Sequence, residues 1–190
     1  MLNSRVYSLC FVFLGLAILS VLFKVTPPSL KREEISRNCI TKTESRTVRG
    51  ESMAGAIAEG ESVKLLFGYY TCNEVLRDDF IAYDYGGRET PLVKQVRGIP
   101  GDVFKIVQDA DLYWRLAINN EIQKTSEGKE YLFDENTKKM LSLYEDSYRG
   151  LIPENAYLIL GNVVTGSVDS SRFGLVGKQD ILAKVIVEKP

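Results

Sequence analysis

The sequence predicts a mainly β domain carried behind one membrane-spanning helix. Two observations predict it. Residues 6–23, VYSLCFVFLGLAILSVLF, contain no charge, and from about Ile40 onward the chain breaks into short runs rich in Val, Ile, Leu, Phe and Tyr, separated by Gly, Asn and Asp. At 190 residues, with 45% hydrophobic residues, there is room for one medium domain and an appendage, and the composition is not that of a disordered chain.

Taken in order, the apolar run at 6–23 would reach ~27 Å as a helix, close to the hydrocarbon thickness of a bilayer. Lys24 is followed by VTPPSLKREE with no A-x-A-like step, which favours a retained anchor over a removable signal peptide, the alternative reading. Arg5 lies on one side of the run and Lys24, Lys31 and Arg32 on the other, so charge alone leaves the orientation open. Pro27 and Pro28 end the helix, and residues 24–39 read as a polar stalk. Residues 40–190 form the soluble domain. SVKLLFGYY, DDFIAYDY, PLVKQV, DVFKIV, LYWRLAI, AYLILG and LAKVIVEK are short enough to be strands. Asn119 and Asn120 in INNEIQ suit the positive φ angles of a tight hairpin. DENTKKMLSLYEDSYRG is the one helix-like interval, with Asp134 or Asn136 as its cap and Gly150 as its stop.

Charge and composition also exclude classes. Lys+Arg (24) and Asp+Glu (25) nearly cancel, and there is no P-loop and no zinc-type cysteine spacing, so a nucleic-acid partner, a nucleotide and a metal are not expected; no cofactor is called for. Cys39 and Cys72 would permit a disulfide in an oxidising compartment, with two free thiols as the alternative.

Within VRGESMAGAI, residues 48–57, Ser52 follows a β-type run and precedes a turn. With no histidine in the chain, a Ser-His-Asp triad is excluded, and any base for this hydroxyl must be a lysine, a carboxylate or a metal-bound hydroxide. Lys94 lies in PLVKQVRGIPGD, where Pro91, Leu92, Val93 and Val96 supply apolar surroundings that would lower a lysine pKa. In the same stretch GIPGD reads as a turn, Pro100 setting φ and Gly101 tolerating a positive φ.

Ser-Met at 52–53, RDDFIAYDY, KQVRGIPGD, IPENAYLILGN and SVDSSRFG, in this order behind an apolar segment, resemble the boxes of type I signal peptidases, over about residues 46–187 and the anchor. Gly55 stands where that family commonly has proline, Asp78 where it has glycine, Gln95 where it has a second basic residue, and Ser171 where it has arginine, with Arg172 one place later. The resemblance implies a signal-peptidase-like β-sheet or barrel domain whose nucleophile is Ser52, whose base is Lys94, and whose Ser167 hydroxyl orients the lysine amine. It implies one oxyanion donor in the Ser52 amide; Gly50 cannot supply the side-chain hydroxyl that many relatives place there. Val48, Met53, Ile57, Leu92 and Val93 would line shallow pockets for small residues such as alanine, core packing being their alternative, and Asp169 and Arg172 would stand near the site as structural residues. Residues 45–49 and 91–94 would offer extended edges to a peptide strand.

The implied function is a membrane-anchored Ser-Lys endopeptidase that removes signal peptides from exported preproteins, single-pass in the cytoplasmic membrane, touching membrane lipid, with its catalytic domain on the outer face. A maturation peptidase for pilin-like or conjugation proteins and a membrane-tethered peptide-binding domain without catalysis are the alternatives.

Overall fold

The structure is a computed structural model that describes residues 39–87, 90–109 and 112–188. The expected anchor at 6–23 and the stalk up to residue 38 lie outside the described residues. Among the described residues no helix is long and apolar enough to cross a membrane.

Two antiparallel sheets carry the domain. The larger joins β1 (Lys42–Thr47), β2 (Ser62–Phe67), β3 (Phe80–Tyr83), β4 (Leu92–Gly98), β8 (Ala156–Leu160), β9 (Val176–Gly177) and β10 (Ile181–Val187) in the order β1-β2-β10-β3-β4-β8-β9. The smaller joins β5 (Phe104–Gln108), β6 (Trp114–Ile118) and β7 (Glu121–Ile122). β10 enters between β2 and β3, and its alternation shows why it is a strand: Ile181, Ala183 and Val185 are buried while Leu182 and Ile186 face outward.

The expected apolar runs all become strands, and the turn chemistry agrees. Asn119 and Asn120 take φ angles of 50° and 67° between β6 and β7, and Gly101 takes 88° in the GIPGD turn. Helix α1 (Glu135–Tyr148) starts where Asp134 accepts the Asn136 and Thr137 N–H groups, and it stops where Arg149 and Gly150 turn left-handed at φ 54° and 74°. A short helix α2 (Ser170–Phe173) follows β8.

Three buried clusters hold the fold. Phe104, Leu116, Tyr131, Phe133 and Leu141 join the small sheet to α1, with Leu158 and Leu160 of β8. Val48, Met53, Ile57, Val63, Leu65, Ala82 and Val185 pack beneath the Ser52 turn. Ile81, Val96, Tyr157, Ile159 and Ile181 belong to a third cluster. Cys39 and Cys72 are disulfide-bonded, so the first described residue is clipped to the end of the turn after β2. Closing a loop with a sequence separation of 33 stabilises by on the order of 4 kcal/mol in the chain-entropy picture.

Candidate active site

The turn that carries Ser52 is anchored from below and from behind. Val48 donates its N–H to the Glu61 carbonyl and accepts from Gly60 N–H, both at 2.9 Å, which closes the chain around residues 49–60. Met53 and Ile57, each 1% exposed, insert into the core on either side of Gly55, and both the Ala56 and Ile57 N–H groups bond the Met53 carbonyl. Ser52, just before Met53, stays half-buried. Its own carbonyl accepts the Asn162 N–H at 2.7 Å, while the Asn162 side chain donates to the Ala54 carbonyl and to Ser126 Oγ, both at 2.7 Å. Gly161 makes this approach possible: a Cβ there would stand 2.6 Å from the Ser52 carbonyl and 2.4 Å from Ser167 Oγ. Among the described residues the Ser52 N–H bonds no acceptor.

β4 delivers the lysine. Lys94 pairs with Ile81 on β3 and shares its face with Val96, so strand alternation turns its side chain inward, where only 2% remains exposed. The amine donates to Ser52 Oγ and to the Val93 carbonyl, each at 2.8 Å. Burial lowers its pKa from 10.5 to about 8, opposed by the negative charge of Asp169. A lowering of that size corresponds to roughly 3 kcal/mol against the ammonium form.

The segment after β8 closes the back. Asp169 caps α2 by accepting from Ser171 N–H and Ser171 Oγ, at 3.0 and 2.7 Å, and its other oxygen accepts Gly161 N–H at 2.8 Å. Ser171 thus holds the carboxylate, and Arg172 instead donates from Nε to the Ser167 carbonyl at 3.1 Å. Ser167 is buried and its hydroxyl has no hydrogen-bond partner among the described residues, so the expected bond to the lysine amine is not made in this arrangement.

A cleft of about 830 Å³ opens in front of Ser52 and Lys94. Val48, Met53, Leu92 and Val93 line it together with residues 45–47, Arg49, Val63, Leu65, Thr90 and Pro91. The two expected edges therefore do face one space. Ile57 does not reach it: that side chain is packed in the core cluster under the turn. Gly161 and Asn162 lie in the quoted motif IPENAYLILGN, which gave them no task, and Arg46 and Arg49 lie on the expected edge at residues 45–49, where no role was given to their charge. Among the described residues no group of three or more His, Cys, Asp or Glu side chains is placed to hold a metal.

Comparison with known proteins gives a consistent answer. The family model described as signal peptidase, peptidase S26, matches residues 5–188. Signal peptidase IB of Staphylococcus aureus strain Mu50 is 28% identical over 149 residues, covering 73% of this chain and 73% of that protein, and the strain N315 protein gives the same figures. Signal peptidase IB of strain COL is 26% identical over 148 residues, again covering 73% of each chain. Among solved structures, a signal peptidase I from Enterococcus faecalis V583 aligns with a TM-score of 0.41 and 22% identity, covering 59% of this chain and 97% of that one.

Proposed function

The chain belongs to the signal peptidase family, peptidase S26, and from that premise we propose that it cleaves by a Ser52–Lys94 dyad while anchored to a membrane by residues 6–23. It is a serine endopeptidase that removes signal peptides from preproteins. The observation that carries the dyad is the 2.8 Å contact between Lys94 Nζ and Ser52 Oγ, made by an amine that is buried and whose pKa is lowered to about 8.

A neutral Lys94 takes the Ser52 proton as Oγ attacks the scissile carbonyl carbon. The negative charge that develops on the carbonyl oxygen meets the Ser52 N–H, a donor left free by the turn. The ammonium then returns its proton to the departing amine, which leaves with the mature protein, and the signal peptide stays esterified to Ser52. Lys94, neutral again, takes a proton from an attacking water; collapse of the second tetrahedral intermediate returns the proton to Ser52 and frees the signal peptide. While Oγ is esterified, the amine loses that hydroxyl partner, and the unpaired Ser167 hydroxyl is the group that orients it.

The substrate strand lies between residues 45–49 and 91–94. The apolar floor of Val48, Met53 and Val93 accepts small side chains, and Asp169 and Arg172 hold the back wall as structural residues. Residues 24–39 act as the stalk and 40–190 as the catalytic domain. We place that domain at the outer face of a cytoplasmic membrane, with the scissile bond just outside the bilayer. The test is cleavage of a model preprotein after an A-x-A sequence by the full chain in detergent. Binding without cleavage would overturn the reading.

A further inference from the structure

Among the described residues, charge in the cleft wall is of one sign: the lining includes Arg46, Arg49 and Lys94 and no Asp or Glu. Lys94 is occupied with Ser52 and Val93 at the bottom. Arg46 lies directly opposite Val63 on β2, so its side chain shares the sheet face of the floor residues Val63 and Leu65. It bonds Glu44 at 2.6 and 2.9 Å, but that carboxylate is also claimed by Lys42, so a single anion sits between two cations. Arg49 is exposed and, among the described residues, has no hydrogen-bond or ion-pair acceptor. Its backbone is nevertheless held, by the two bonds at Val48 on one side and on the other by Gly50 N–H donating to Glu59 Oε1 at 3.0 Å. Glu51 and Glu59 are close in sequence but do not line the cleft.

We infer that Arg49, with Arg46 beside it, makes this cleft select preproteins that carry a carboxylate side chain within a few residues of the scissile bond. The inference rests on the peptidase reading above. A cleft lined by one sign of charge concentrates the opposite sign, and an arginine whose backbone is held and whose side chain has no partner among the described residues loses no existing contact on meeting a substrate carboxylate. The site is open to solvent, so the gain is that of an exposed ion pair, about two- to fivefold in affinity. An extended substrate alternates its side chains, so the small residues recognised by the apolar floor and the carboxylate recognised by arginine fall at different positions.

The test uses the full chain in detergent and a set of peptides with a common A-x-A core, in which one residue outside the core is walked along both sides of the bond as Glu, Gln or Lys. At one or two positions kcat/KM should fall in the order Glu, Gln, Lys, about two- to fivefold per step and carried by KM. The order should flatten at about 0.5 M salt, where the screening length is only a few ångströms. Arg49→Gln should bring the Glu-to-Lys ratio close to one, Arg49→Glu should invert it, and Arg49→Lys should keep it. Equal rates for Glu, Gln and Lys at every position overturn the inference and leave the peptidase standing. So does a ratio that Arg49→Gln and Arg49→Glu leave unchanged. If those variants do not fold, a wild-type preference that is insensitive to salt overturns it. Failure of the wild-type chain to cleave any peptide overturns the peptidase reading and this inference together.

Discussion

Lys94 on β4 and Arg115 on β6 are both buried strand cations, 2% and 9% exposed, and their surroundings differ in one respect. Arg115 meets the Glu130 carboxylate at 2.6 Å. Lys184 likewise meets Asp79 at 2.7 Å, and Arg77 meets Asp102 at 2.7 Å. Lys94 meets a hydroxyl and a carbonyl, and the nearby carboxylate of Asp169 is taken up by Gly161 N–H and by Ser171. In the small sheet the chain neutralises a buried charge with an opposite one. At the site it withholds the opposite charge, so the ammonium is disfavoured and the amine gives up its proton more readily than a free lysine does. The difference between an ion pair that supports a fold and an amine that can act as a base is therefore made by where the carboxylates point.

The largest break in this contrast is Ser52→Ala. It should lower kcat by roughly 10³-fold or more while the circular dichroism stays native, because the acyl-enzyme has no other oxygen to form on. A variant that keeps a large share of wild-type turnover would show that Lys94 serves some other group. Next, Lys94→Met should be equally inactive yet more stable at pH 7, by about 1–3 kcal/mol in denaturant midpoints, since it removes a buried group that folding pushes away from its charge. Arg115→Met should go the other way by about 1 kcal/mol, because partly exposed Glu130 loses its 2.6 Å partner and keeps only Lys124 at 3.9 Å. Stability changes of the same sign would erase the distinction between the two cations.

The pH dependence sharpens it. As a base Lys94 must be neutral, so kcat/KM should rise with pH through about 8. The unfolded lysine titrates near 10.5 and the folded one near 8, so between these values the unfolded chain binds the extra proton and wild-type stability should increase with pH. Above about 10 the buried phenols of Tyr70 and Tyr131, both raised by burial, turn the trend downward as the unfolded tyrosines ionise. Chemical denaturation of wild type and Lys94→Met between pH 7 and 10 should show the rise in the first and its loss in the second. The smallest effect belongs to Ser167→Ala. No hydrogen bond is lost, so stability should move by no more than about 0.5 kcal/mol, while deacylation slows by about tenfold and acyl-enzyme becomes visible by mass spectrometry.

Much of this arrangement was legible before the structure. Short runs rich in Val, Ile, Leu, Phe and Tyr gave the strands; Asn119, Asn120 and Gly150 announced their turns because they tolerate positive φ, and Asp134, with Asn136 as the alternative, announced the helix because a side-chain oxygen can cap its first N–H groups. The pairing of Ser52 with Lys94 came from the resemblance to type I signal peptidases; the missing histidine by itself left a lysine, a carboxylate or a metal-bound hydroxide as the base. Asp78 shows how a departure from a family pattern resolves: standing where glycine is usual, it adopts φ 67°, which aspartate tolerates better than most residues, and its carboxylate pairs with Arg97 at 3.0 Å. What stayed hidden was polar. β1 is an edge strand with almost every side chain exposed, so with no hydrophobic alternation only its end was read, as the edge at residues 45–49, and β9 is too short to carry a pattern. For Ile57 the core alternative is the one the structure takes, since an apolar residue beside a nucleophile reads the same whether it faces a cleft or a core.

Asn162 joins three pieces of chain that are far apart in sequence: the Ser52 turn, the loop at Ser126, and the end of β8. The Ser126 loop lines none of the cleft, yet it shares this one side chain with the turn that aims the nucleophile. Heat reaches such a loop before it reaches the sheets, because exposed turns open at lower free energy than buried strands. Warming the enzyme would then blur the aim of Ser52 while the β-sheet signal is still intact, and cooling would restore it. Activity should then fade on warming before the domain melts, which turnover and circular dichroism followed over the same temperatures would check.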